Sequence, residues 1–185
     1  MYVGTGERVK QIITGHFTGV VRHHNRYYAA NIDTTTIHVY EHTGEWKQCH
    51  SFSVNAEKYN EITLCISNNL LYVCLSGDNR IDIFSLDGHL RSSTDSNGDG
   101  GPRQLSCPFI CATDAAGAAL IADYSNNRLQ LLSANGQWSI VQLQLPVEDP
   151  WGACLVNDTL YVNEWYNKSL HAYKMEQHGN RPLRK

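Results

Sequence analysis

One short segment of the sequence has the residue types and spacing of a calcium-binding loop. The segment DSNGDG (Asp95 to Gly100) matches the first half of such a loop, in which alternate carboxylate and amide oxygens point at a hard cation. The twelfth position, which should be a bidentate glutamate, is Ser106. A glycine-rich segment of this kind is also typical of a loop that connects two strands. We therefore expect no metal ion here.

The nine histidines and six cysteines are the remaining candidate metal ligands. They are scattered and form no CxxC pair, whereas a zinc site needs three or four ligands that converge. Cys65, Cys74, Cys111 and Cys154 lie in apolar, strand-like runs, which favours buried free thiols and a reducing compartment. A G-x-S-x-G nucleophile motif is also missing. We expect no metal, no cofactor and no enzymatic activity.

A set of cationic and aromatic residues has the composition of a binding surface. Aromatic side chains interleaved with cations suit a protein partner, through hot spots, or single-stranded RNA, through stacking and phosphate contacts. The predicted binding residues are Arg80, Arg103, Tyr124, Arg128, Trp151, Trp165, Tyr166 and Lys168.

Several of these residues also have a structural interpretation. An arginine that recurs in similar turns can bind carbonyls or a carboxylate of a neighbouring segment and so hold repeats together. Trp151 could equally pack in the core. The turns that contain the arginines are expected to be structural, through Asp78, Asn79, Asn126 and Asn127.

The turns recur because the chain is built from repeats. The segment GDNRIDIFSLDG (Gly77 to Gly88) is similar to SNNRLQLLSANG (Ser125 to Gly136), and each ends in a glycine that can turn with positive φ. Alternating apolar runs recur at intervals of roughly 40 to 50 residues, the period of a propeller blade. These runs start at Ile37, Ile81, Leu129 and Leu170, and glycines follow them at Gly44, Gly88, Gly136 and Gly179.

Three or four short strands per repeat, with no helical periodicity, predict an all-β propeller of about four blades. A single small sheet with two apolar faces must pack on its neighbours. A β-sandwich with even strand spacing is the alternative. We predict one domain with repeats near 18–60, 61–106, 107–148 and 149–185 and a partial blade in 1–17.

The two ends of the chain bear on whether the ring closes. Val9 to Ile13 predicts a strand without a blade of its own, which could join the last repeat and close a small ring. The other interpretation, which we favour, is an open part of a larger propeller that leaves sheet edges exposed.

The segment from Ser96 to Gly136 resembles the NHL repeat of tripartite-motif proteins. It has the glycine-rich lead, Gly-Pro-x-Gln-Leu, a proline opening the inner strand and an ADxxNNRxQ pattern. Thr35-Thr36 and Lys168-Ser169 replace the Asn-Arg pair in the first and last repeats. The resemblance implies a blade set from a six-bladed propeller and a recognition role in a ubiquitin-ligase-like protein.

The composition favours protein over nucleic acid as the partner. With a net charge of −3 and a pI near 6.3, the chain has no overall positive potential that would attract DNA or a membrane surface. We expect a protein partner, with single-stranded RNA as the alternative, and a cytoplasmic location. The rival function is a metal-dependent hydrolase or lyase of the lactonase or amidating-lyase kind. In that class, inner-strand carboxylates and histidines hold a metal in the central channel, whereas the inner strands here have Cys65, Ala112 and Cys154 at one shared position.

Overall fold

The computed structural model describes residues 13–57, 60–94, 104–113, 117–133, 136–143 and 145–175. These residues form four antiparallel sheets that follow one another along the chain, each a simple meander. The described regular structure is strand throughout, except for a 3-10 turn at Tyr124–Asn126. The all-β prediction is therefore confirmed.

Four strands build each of the first three sheets, and three described strands build the last. Sheet I consists of β1 (Phe17–His23), β2 (Arg26–Asn31), β3 (Thr36–His42) and β4 (Trp46–Ser53). Sheet II consists of β5 (Ile62–Ser67), β6 (Leu70–Leu75), β7 (Arg80–Ser85) and β8 (Leu90–Ser93). Sheet III consists of β9 (Pro108–Thr113), β10 (Ala119–Asp123), β11 (Arg128–Leu132) and β12 (Trp138–Ile140). Sheet IV consists of β13 (Pro150–Val156), β14 (Thr159–Glu164) and β15 (Ser169–Lys174).

The sheets pack face to face through three apolar clusters. Successive side chains of a strand point to opposite faces, so strands that are apolar on both faces can pack on a sheet at either side. The first strands are central, because β1 packs on β5, β5 on β9 and β9 on β13. Representative buried residues are Tyr28, Ile37 and Val73 between sheets I and II, Tyr72, Ile81 and Ile121 between II and III, and Ala122, Leu129 and Val162 between III and IV.

The turn glycines have the predicted backbone conformation. Gly44, Gly88 and Gly136 have φ of +100°, +92° and +80°. Gly88 is also constrained by packing, because a Cβ atom there would lie 2.6 Å from the ring of Phe52. Gly179 lies outside the described residues.

Sheets I and IV form the two ends of the series. Among the described strands, every extensive contact between sheets joins neighbours in the chain. This arrangement is compatible with the predicted open, incomplete propeller. The predicted strand at Val9 to Ile13 (apart from Ile13), the DSNGDG segment at 95–100 and Arg103 lie outside the described residues.

The burial of the cysteine thiols depends on how the sheets pack. All six cysteines are free, and the predicted burial is found for Cys65 and Cys74, while Cys111 is half-buried. Burial raises the pKa of Cys65 to about 12 and that of Cys111 to about 11. The prediction is wrong for Cys154, which is exposed, because it lies on the face of sheet IV that no described sheet covers.

Thiol labelling in dilute solution tests this arrangement. We expect Ellman's reagent to modify Cys49, Cys107 and Cys154 in the native chain, because they are exposed and only the thiolate reacts. Cys65 and Cys74 should react only after denaturation, since burial raises their pKa values. Mass spectrometry of labelled peptides assigns each site, and labelling of Cys65 as fast as that of Cys49 would contradict the packing of sheets II and III.

Candidate functional site

The turns between the second and third strands share one backbone conformation. In each sheet one turn residue adopts left-handed geometry, with φ between 48° and 54°. Asparagine tolerates this conformation better than most residues, which explains its presence in two of the four turns. The four residues are Thr35, Asn79, Asn127 and Lys168.

Two of these residues attach a sheet to the beginning of the next sheet. The side-chain oxygen of Asn79 accepts a hydrogen bond from the Cys107 backbone N–H at 2.8 Å, and that of Asn127 accepts one from the Asp149 N–H at 2.8 Å. Cys107 and Asp149 immediately precede β9 and β13. The turns therefore lie on the same rim as the segments that enter each following sheet.

Arg128 neutralises a buried carboxylate. Its Nε lies 2.7 Å from an oxygen of Asp123, which is fully buried, and its Nη2 donates to the Gln104 carbonyl at 2.6 Å. Asp123 also accepts hydrogen bonds from the Gln130 side chain at 2.8 Å and the Ser106 N–H at 2.7 Å. Because the segment at 104–106 leads into β9, this network fixes the entry of sheet III.

Arg80 has a similar role with different partners. Its guanidinium lies 2.9 Å from Asp78 and 3.1 Å from Asp82, and it donates to the carbonyl of Asn55, between sheets I and II. Sheet II has Leu75 at the position that Asp123 occupies in sheet III, so Asp82 on the next strand supplies the carboxylate. The contacts of the two arginines therefore match the structural interpretation. Each guanidinium binds carboxylate oxygen and a backbone carbonyl of the segment that leads into a sheet.

Glu164 replaces the aspartate in sheet IV, where no arginine is present. It accepts hydrogen bonds from the Glu148 N–H at 2.9 Å, Asn167 at 3.0 Å and Ser169 at 3.0 Å, and His171 Nε2 lies 3.3 Å away. Burial alone would raise the pKa of Glu164, but these hydrogen bonds and His171 outweigh it, and the pKa lies below its ordinary value of 4.5. The carboxylate is thus stabilised in its charged form.

The rim residues between sheets III and IV form one aromatic group. The ring of Trp151 lies 4.3 Å from that of Phe109, 5.7 Å from Tyr124 and 4.8 Å from Trp165, measured between centroids. Trp151 is half-buried, whereas Trp165 and Tyr166 are 55% and 71% exposed. We call Tyr124, Trp151, Trp165 and Tyr166 the aromatic rim. It has a packed base and an exposed edge.

An open depression adjoins the exposed edge. Its volume is about 440 Å³, and it is lined by Asn163, Glu164, Trp165, Tyr166, Lys168 and Ser169. The depression offers aromatic surface together with one cation and one buried carboxylate. Such a mixture suits recognition of a side chain with both apolar and polar parts.

The structure groups some of the predicted binding residues and separates others. Tyr124, Trp151, Trp165, Tyr166 and Lys168 lie together at sheets III and IV. Arg128 is at the neighbouring turn with its guanidinium occupied, Arg80 belongs to sheet II, and Arg103 lies outside the described residues.

Sequence reasoning missed two members of the site, Phe109 and Glu164. The repeat register could have located Glu164, because it matches Asp123 when the turns are aligned. In the described part of the chain, no group of three or more histidine, cysteine, aspartate or glutamate side chains could hold a metal ion. The described residues also contain no helix with the length and apolar content needed to cross a bilayer.

Substitution of Arg128 tests the buried ion pair. We expect Arg128→Met to lower the free energy of unfolding by about 3 kcal/mol, because Asp123 would remain buried without its cation. Urea denaturation followed by circular dichroism measures the change. Arg91→Met, at an exposed position of β8, should alter the free energy of unfolding by less than about 0.5 kcal/mol. Equal effects of the two substitutions would contradict the assigned network.

The lowered pKa of Glu164 predicts a pH-dependent contribution to stability. A lowered folded-state pKa stabilises the protein above the unfolded value, and this stabilisation is lost as the pH falls through the folded value. The stability advantage of the wild type over Glu164→Gln should therefore shrink as the pH falls below about 4.5. Denaturation curves at several pH values measure it, and a difference that grows on acidification would contradict the assignment.

Comparison with known proteins identifies the fold but no family. No protein-family model matches the sequence, and no curated protein matches it. A catalytically inactive virginiamycin B lyase from Staphylococcus aureus, solved with quinupristin, matches with a TM-score of 0.63 and 15% identity over 88% of this chain and 56% of the lyase chain. An auxiliary nutrient binding protein from Bacteroides thetaiotaomicron matches with a TM-score of 0.63 and 12% identity over 85% of this chain and 48% of that chain. The computationally designed Ika4 protein matches with a TM-score of 0.53 and 12% identity over 91% of this chain and 100% of that chain.

These matches confirm the β-propeller prediction. The chain spans about half the length of the lyase and of the nutrient binding protein. At such identities the likeness concerns the fold alone, because one propeller architecture supports many unrelated functions. The chain is therefore similar in fold to a lyase and to a nutrient binding protein, and its architecture is that of a β-propeller.

Proposed function

We propose that this chain is a non-catalytic binding module that recognises a protein partner through the aromatic rim. The observation behind the proposal is the exposure of Trp165 and Tyr166, 55% and 71%, beside a tryptophan that is packed in place. Large aromatic side chains that are rigid at the base and open at the edge are typical of interface hot spots.

The charges around the rim favour protein over RNA. The guanidinium groups of Arg80 and Arg128 already bind carboxylates, so they are poorly placed to contact phosphates. Lys168 is exposed, but exposed Glu148 lies on the same side, within 3.2 Å of the Asn167 side chain. Single-stranded RNA binding depends on a positive groove as well as on stacking. The surroundings of the aromatic rim are closer to neutral than such a groove.

The same chemistry indicates what the partner presents. A lysine or arginine of the partner could lie over the face of Trp165 or Tyr166 and approach Glu148. The depression beside Trp165 would take the aliphatic part of that side chain. We therefore propose a partner segment with a basic residue at its centre.

The finer assignment rests on the resemblance of Ser96 to Gly136 to the NHL repeat. On that basis we propose that the module acts as the recognition part of a ubiquitin-ligase-like protein. A cytoplasmic location belongs to the same proposal, with the six free thiols in its support. The rival lyase or hydrolase function is supported only by the likeness in fold. That likeness does not identify any catalytic residue in this chain.

Selection of peptides from a displayed random library tests the proposal. Phage are selected on the wild-type chain and counter-selected on Trp165→Ala, and the enriched peptides are measured by fluorescence anisotropy. We expect peptides with a basic residue, and at least about a thirty-fold loss of affinity in Trp165→Ala, as for a hot-spot residue. Trp46→Ala, which removes a tryptophan that contacts the ring of Tyr27 in sheet I, should leave the affinity unchanged.

A parallel titration with a randomised single-stranded RNA pool, at low and physiological salt, separates the two partner classes. Salt-sensitive RNA binding that is lost in Trp165→Ala and Lys168→Ala would overturn the protein-partner proposal and establish an RNA reader. A folded wild-type chain that enriches no rim-dependent peptide would also contradict it.

A further inference from the structure

Sheet IV has one face that no described residue covers. The face turned toward sheet III contains Leu160 and Val162, which are buried. The opposite face is the free face of sheet IV, and strand pairing assigns its members. Its apolar members are Cys154, Val156, Tyr161, Leu170 and Ala172, and its polar members are Thr159, Asn163 and Lys174. The five neighbouring apolar side chains form a mainly apolar surface on the end of the propeller.

Leu170 shows how unusual this exposure is. It is 71% exposed, whereas the residues at the same repeat position in sheets I, II and III, Ile37, Ile81 and Leu129, are 0%, 0% and 1% exposed. Each of those three packs against the following sheet of the chain. The position of Leu170 is therefore that of a contact residue for a following sheet.

Tyr161 supports the same conclusion from the neighbouring strand. Its repeat equivalents in sheets I and II are Tyr28 and Tyr72, which are among the largest fully buried side chains of the molecule. Tyr161 is only half-buried. The chain thus repeats in sheet IV the tyrosine that fills two of its internal sheet interfaces.

Sheet I has the complementary free face, at the other end of the series. Val20 is 70% exposed there, and it pairs across the strands with Ala29. The repeat equivalents of Ala29 are Val73, Ile121 and Val162, each 0% exposed and packed against the preceding sheet. The free face of sheet I is therefore of the type that receives a preceding sheet.

We propose that the free face of sheet IV packs against the free face of sheet I of a second copy of this chain, head to tail. The same two types of face already meet three times within the chain, so the contact continues an established interface. Pairing of two sheet IV faces would instead join two surfaces of the same type, a combination that none of the three internal interfaces uses. Head-to-tail contacts give rings when the rotation closes and open chains when it does not.

The charges on the two faces are compatible with burial. At the edge of sheet IV, Lys174 and Asp158 pair with each other at 2.5 Å. On sheet I, the guanidinium of Arg22 lies 5.6 Å from the ring centre of Tyr27, and burial lowers the pKa of His38, which favours its neutral form. The apolar parts of both faces can therefore meet when the exposed Arg22 guanidinium stays at the edge of the contact, where water still reaches it.

The molar mass of the 185-residue chain in solution tests the proposal. Light scattering after size exclusion, over a range of concentrations, should give at least twice the chain mass of 20.8 kDa. Leu170→Glu and Val20→Glu should each reduce the mass to that of the monomer, because one introduces a charge into each face. Leu90→Glu, at an apolar residue that is 57% exposed on β8, is the matched control and should leave the assembly intact.

A mixing experiment examines the head-to-tail arrangement itself. Leu170→Glu retains an intact sheet I face and Val20→Glu retains an intact sheet IV face. An equimolar mixture of the two monomeric variants should therefore form a one-to-one dimer. Labelling of Cys154 should also be slower in the assembled wild type than in Leu170→Glu, while that of Cys49 stays the same.

Three results would overturn the proposal. A folded wild type that stays monomeric at all concentrations would mean that other residues of the chain, a further blade or another partner cover the faces. Loss of the assembly in Leu170→Glu but not in Val20→Glu would mean that two sheet IV faces pair with each other. An assembly that survives both substitutions would use a different surface.

Discussion

The structure depends on the burial of sheet faces that are apolar on both sides. A four-stranded sheet has too little area to cover either face by itself, so each sheet needs a neighbour on both sides. Sheets II and III satisfy this requirement within the chain, and fully buried side chains such as Tyr72 and Ile121 fill the space between them. Within the described residues, sheets I and IV satisfy it on one side only. The exposure of Val20 and Leu170 follows directly from this constraint.

Buried polar groups fix the point where the chain passes from one sheet to the next. Sheets II, III and IV do so with related but different residues: Asp82 with Arg80 in sheet II, Asp123 with Arg128 in sheet III, and Glu164 in sheet IV. These groups stiffen the rim on which the aromatic side chains lie. A stiff base lowers the entropy that an exposed tryptophan loses when a partner binds.

Much of the fold could be predicted from the sequence because it is encoded locally. Alternation of apolar residues and a glycine after the third strand are properties of a few consecutive residues, and they located the third strand of each repeat, β3, β7, β11 and β15. The partner of an arginine is a through-space property, so the exchange of Asp123 for Asp82 between sheets could not be read from the spacing. The wrong assignment of Cys154 has a related cause. An apolar strand shows that a face is suited to burial, but not whether a neighbouring sheet is present to bury it.

Each sheet is also made from one continuous stretch of chain, and this has a consequence for how the molecule opens. Contacts within a sheet join consecutive strands, and contacts between sheets join consecutive repeats, so the chain behaves as a short one-dimensional array. In such an array the terminal units have one stabilising interface and the internal units have two. Hydrogen exchange in the isolated chain should therefore proceed inward from the ends, with the amides of β6 and β10 exchanging last. In the isolated chain, a surface on sheet IV therefore lies on one of the two end sheets that open first, and a bound partner would slow that opening.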